Sequence, residues 1–247
     1  MSSVDWTLHY CCCRGQWITL GIIAGWTLVA IVLWHCRIFG VHILLQFKLL
    51  TTFLHEFSHA SAAWITGGKV KGIEVYTNEG GVTHTVGGIR WIILPAGYLG
   101  SCFWGLVFTL LASINIWTLR VGAGLLCFML LMVLLFFARN WTVGIVCVIF
   151  ILEIIVVWAF TELYHTIWPL RVAMLAIGSM NSVYSLLDIL DDTIRRKEPD
   201  SDAYKCASLT HCSSRLCGSL WGLIALAFVV FEVYLLLAVR EVGDETF

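Results

Sequence analysis

The chain has 247 residues, 60% of them hydrophobic and 13% charged, with a formal net charge of −1 and a mean hydropathy of +0.88. Soluble globular chains carry about 25% charged residues, so an ordinary soluble domain is excluded and a polytopic membrane protein is indicated. A net charge this close to zero offers nothing to a phosphate backbone, and no nucleic-acid partner is expected.

A membrane-crossing helix needs about 20 apolar residues. By that measure the chain reads as one all-α integral-membrane domain, residues 1–247, with six to seven transmembrane helices. The apolar runs are 16–34, 41–66, 91–113, 119–138, 141–160, 168–190 and 216–239. The first lacks a small-residue cleavage site after it and is expected to stay as an anchor. Cys11, Cys12 and Cys13 precede it. Two readings stand for them, juxtamembrane S-palmitoylation and unmodified thiols. Cys102, Cys127 and Cys147 fall in apolar runs, where cysteine acts as a small hydrophobe. Cys206, Cys212 and Cys217 do not have zinc-ribbon spacing.

Two stretches do not read as spans. Residues 67–88 carry glycine turns around the β-prone pieces 70–76 and 82–86, with a turn signal at Asn78-Glu79-Gly80-Gly81. This is expected to be a small β-hairpin at the cytosolic face. Residues 191–215 are polar and are expected to form an exposed loop. Seven crossings with the N-terminus on side one put Arg14, Lys69, Lys71, Arg90, Arg139, Arg195, Arg196, Lys197, Lys205 and Arg215 on that side. Arg37, Arg120, Arg171 and Arg240 fall on the other. The positive-inside rule then makes the N-terminus cytosolic.

The second run contains Leu54-His55-Glu56-Phe57-Ser58-His59-Ala60. A charge at mid-bilayer costs roughly 2.5–3.5 kcal/mol, so these polar groups require compensation or a protein-facing position. Residues four apart share one helix face, which places His55 and His59 together. With Glu56 they form H-E-x-x-H, two zinc-binding imidazoles and a carboxylate that serves as general base on the attacking water. Catalytic zinc takes three protein ligands and keeps one position open. Asp188, at the end of the sixth run and at matching depth, is the candidate for the third, with Asp191 one turn on as runner-up. Glu153 is an intramembrane carboxylate with no sequence link to the motif, Glu162 lies just beyond the fifth run, and His84 reads as a surface residue of the hairpin. The implied chemistry is zinc-assisted peptide hydrolysis, with Zn2+ as the one cofactor, a membrane-protein substrate and the lipid bilayer as solvent. An exposed hairpin edge could hold an unwound substrate by strand addition, or the hairpin could simply cap the structure.

At these residues the sequence resembles the site-2-protease class of intramembrane zinc metalloproteases, in particular its short, PDZ-less, peptidase-like branch. The matching features are His55-Glu56-Phe57-Ser58-His59-Ala60, Gly67-Gly68-Lys69-Val70 with Gly80-Gly81-Val82-Thr83, and Leu94-Pro95-Ala96-Gly97-Tyr98-Leu99-Gly100. Asn181 through Asp192 and then Ser201-Asp202-Ala203 complete them. The resemblance implies a zinc site of His55, His59 and an aspartate, with Glu56 catalytic, and cleavage of a membrane-spanning or membrane-proximal substrate. It departs from the class at Leu187-Asp188-Ile189, where the class presents Leu-Asp-Gly. Asn181 stands roughly where the class has a polar residue upstream of the aspartate, and a hydrogen bond to substrate backbone and helix packing are its two readings. Gly97 and Gly100 read as close helix-packing positions. The competing functions are a catalytically silent relative that binds or escorts membrane proteins, and a transporter. The transporter would require inverted repeats, which the sequence lacks.

Overall fold

The structure, a computed structural model, describes residues 4–9, 11–39, 41–195 and 201–239. Arg196, Lys197 and Arg240, three of the charges counted for orientation, lie outside the described residues. The elements in chain order are α1 (Arg14–Leu33), β1 (Arg37–Ile38), β2 (Val41–His42), α2 (Leu45–Ile65), β3 (Lys69–Val75), β4 (Gly81–Val86) and α3 (Arg90–Ile114). They continue with α4 (Ile116–Phe136), α5 (Trp141–Leu163), α6 (Trp168–Leu190), a π-helical turn (Asp191–Arg195), α7 (Asp202–Thr210) and α8 (Ser214–Ala238).

Every apolar run is therefore a helix, and short polar side chains set the boundaries. Asn115 breaks α3 from α4 in an extended conformation, and its side chain accepts from the backbone N–H groups of Trp117 and Thr118. Asn140 does the same for α5 through Val143 N. Such caps satisfy N–H groups that a helix start leaves without intrahelical partners. Six helices, α1, α3, α4, α5, α6 and α8, are long and apolar enough to cross a membrane.

Helix α2, the expected span 41–66, is not among them. The other helices give its depth. Helix α3 packs antiparallel to α6, with Ser185 Oγ donating to Tyr98 O at one end and Arg171 Nε donating to Ala112 O at the other. Helix α8 also opposes α6, since Gly218 faces Thr193 and Glu232 reaches Ser182. Helix α1 runs parallel to α6, its end marked by the Trp34 Nε1 donation to Asp191 Oδ2 at 3.0 Å. The C-terminal part of α2 lies beside the start of α3, where Ala63 O accepts from Gly68 N and Ile93 packs. Its N-terminal part does not reach the far end of the bundle. Phe47 meets Trp26 in the middle of α1 and Phe150 in the middle of α5.

Gln16, in the first turn of α1, donates to the carbonyls of Leu236, Leu237 and Val239 at the end of α8. Asp5 N donates to Ala238 O. Both described ends therefore meet at one end of the bundle.

The hairpin strands lie within one residue of their expected bounds. Glycines 68, 87 and 88 sit at the C-terminal end of α2. Thr83 lies against Glu56, and the turn residue Glu79 pairs with Lys48 Nζ at 3.0 Å. The hairpin runs along α2 from Ala63 to Lys48. Lys48 is fully buried there, with its ammonium 4.1 Å from the Trp34 ring centroid. On its outer side β3 is held by the α4–α5 turn, through Ile73 N to Phe137 O and Arg139 N to Ile73 O. Strand β4 has β3 as its strand neighbour, and its other edge pairs with no strand among the described residues.

Candidate metal centre

Helix α2 is enclosed over most of its length, and every residue from Lys48 to Ala60 is buried. The helical repeat sets His55 above His59, with ring centroids 4.9 Å apart. Their Nε2 atoms point the same way. His59 is fixed in that orientation by Ile93 O, 2.7 Å from its Nδ1. A hydrogen bond at Nδ1 leaves Nε2 as the free ligand nitrogen. His55 packs edge-on to the Tyr98 ring at 4.9 Å.

The third group is Asp202. Its Oδ2 lies 3.0 Å from His55 Nε2 and 2.8 Å from His59 Nε2. The three ligand atoms lie within 4.8 Å of one another, all on buried residues, and this is the cluster among the described residues able to hold a metal ion. Asp202 opens α7, where the Ser201 side chain caps Tyr204 N at 3.3 Å. Ala203 and Cys206 seat that helix against Tyr98 and Trp221. Burial alone would raise the Asp202 carboxyl, but the charge and hydrogen bonds of His59 and His55 outweigh it and hold the group well below the usual carboxylate range. It remains an ionised oxygen ligand.

These residues suit zinc on two counts. The donor set is two imidazoles and one carboxylate, which zinc accepts and which leaves a fourth position open. Space for the ion comes from Gly97 on α3. A Cβ at that position would lie 2.3 Å from His55 Nε2 and 2.5 Å from His59 Nε2. Gly97 therefore does more than let helices approach: its bare backbone leaves room where the ligand atoms converge. Gly100, one turn on, is a packing position, because a Cβ there would meet Ser58 Cβ at 2.3 Å.

Asp188, the expected third ligand, is not brought to this cluster. Its depth is right, but Tyr98 stands between His55 and the acidic end of α6. The ring of Tyr98 covers His55 and its hydroxyl donates to Asp192 Oδ2 at 2.5 Å. Asp191 is engaged by Trp34 instead. The expected exposed loop is in part the ligand-bearing helix α7. Ser201-Asp202-Ala203 was visible as a matching feature, but nothing in its spacing from the histidines marks it as a ligand.

Glu56 faces the hairpin. Thr83 Oγ1 lies 2.7 Å from its Oε2, and a Cβ at Gly81 would fall 2.6 Å from its Oε1. Asn181 is fully buried on α6, where its amide donates to Ile177 O at 2.8 Å while its Oδ1 is without a hydrogen-bond partner. His84 pairs with Glu74 at 3.1 Å, Glu153 with Gln46, and Glu162 with Arg120 at 2.7 Å.

A family model described as Peptidase M50B-like matches residues 22–232. No curated protein and no solved structure matches the chain.

Proposed function

Because the chain belongs to the peptidase M50B-like family, the site-2-protease family, with 22–232 matched, we propose that it is an intramembrane zinc metalloendopeptidase. The observation that carries this reading is the convergence of His55 Nε2, His59 Nε2 and Asp202 Oδ2 beside the bare backbone of Gly97. His55, His59 and Asp202 hold the ion. Zinc bound there supplies Lewis acidity and brings the pKa of a coordinated water toward 7. Glu56 accepts the proton of the water that attacks the peptide carbonyl and returns it to the leaving nitrogen. The enclosure of α2 keeps bulk water from these groups.

The substrate is a membrane-spanning or membrane-proximal chain that unwinds to expose its scissile bond. The unpaired edge of β4, next to Glu56, supports its capture as an added strand. Orientation follows from the six crossings. Lys69, Lys71, Arg90, Arg139, Arg195, Lys205 and Arg215 lie at the metal-site end, against Arg14, Arg120 and Arg171 at the other. The positive-inside rule places the metal-site end in the cytosol. The N-terminus then lies on the opposite side, the reverse of the seven-crossing expectation.

The test is cleavage of a labelled transmembrane peptide in detergent by the wild-type protein and Glu56→Gln. Loss of cleavage by at least about 100-fold, with zinc retained, is expected for a general base. Equal cleavage by both would overturn the reading. Absence of cleavage by a zinc-loaded wild type would favour a binding role.

A further inference from the structure

The hairpin touches the reacting end of Glu56 directly. Gly81, Thr83 and Thr85 alternate on the β4 face turned toward α2, while Val82, His84 and Val86 are exposed. Gly81 brings bare backbone against one carboxylate oxygen, Oε1. Thr83 engages the other, with Oγ1 at 2.7 Å from Oε2 and 2.8 Å from the Glu56 main-chain carbonyl. The carboxylate thus lies between a helix and a strand, hydrogen-bonded at Oε2 and beside bare backbone at Oε1.

We infer that Thr83 is a positioning residue for Glu56, fixing the carboxylate so that one oxygen stays available to the attacking water. This rests on the general-base reading above. A flexible carboxylate side chain gives up about 1.5–2 kcal/mol of rotamer freedom when it is ordered, and a site that orders it beforehand does not meet that cost during the reaction. The chemistry of the partner matters. Lysine or arginine at this place would form a charge-assisted pair that opposes proton uptake. A hydroxyl has one hydrogen and two acceptor lone pairs. Thr83 can donate to Oε2 or to the Glu56 carbonyl oxygen. Both acceptors are already within reach. The hairpin then serves the chemistry as well as the substrate: its edge is open, and its inner face holds the base.

The experiment compares wild type, Thr83→Val and Thr83→Ser in full-length zinc-loaded protein. Valine keeps the shape and removes the hydroxyl, and serine restores it. With fluorescein-labelled β-casein as an extended probe, Thr83→Val is expected to lower kcat by roughly 10–100-fold with KM within about twofold and zinc content unchanged, while Thr83→Ser recovers most of the rate. A second readout needs no activity. In metal-free protein, the infrared difference between each background and its Glu56→Gln counterpart isolates the Glu56 carboxylate band. That band is expected to shift in Thr83→Val and to stay in place in Thr83→Ser. An unmoved band in Thr83→Val, or a kcat equal to wild type, would overturn the inference. Cleavage that survives Glu56→Gln would instead overturn the general-base reading, whatever the band does.

Discussion

Helices α2 and α5 have similar lengths and opposite surroundings. Helix α5 is the most apolar of the membrane-capable helices, and most of its side chains face outward from the bundle. Helix α2 is not apolar enough to count as a crossing helix, yet it is buried continuously from Lys48 to Ala60. Hydropathy reports which helices face lipid. The helix that carries the chemistry is enclosed by the others, so it can hold Lys48, His55, Glu56 and His59 without presenting them to hydrocarbon.

Glycine substitutions break this contrast most sharply. Gly97→Ala places a methyl group where the ligand nitrogens converge, and zinc content measured on purified protein is expected to fall from near one per chain toward zero. Gly124→Ala, on α4 with nothing within 4 Å of its Cβ position, is expected to leave zinc content unchanged. Next in size is Lys48→Met. It leaves Glu79 and the hairpin tip without their buried ammonium, and breaking a buried pair costs about 3–5 kcal/mol. Thermal unfolding in detergent should reveal this, and an unchanged midpoint would mean that the latch does not hold the hairpin. The smallest effect belongs to Tyr98→Phe. It removes the hydrogen bond to Asp192 and should cost about 1.5–3 kcal/mol, while the ring stays on His55 and zinc content is preserved.

The histidines and Glu56 were legible in the sequence because the helical repeat alone places residues four apart on one face. The hairpin strands were legible because glycine and asparagine mark turns locally. Asp202 was not, because the chain turns back after α6 and returns in a short capped helix, and no periodicity links that helix to α2. The course of the hairpin along α2 was also hidden. It depends on the Lys48–Glu79 pair and the Thr83–Glu56 contact, both between residues far apart in sequence.

The most direct measurement is zinc per chain in purified wild type, Asp202→Ala and Asp188→Ala. Near one zinc in wild type and in Asp188→Ala, with loss in Asp202→Ala, is the predicted result. Zinc retained in Asp202→Ala and lost in Asp188→Ala would contradict the site described above.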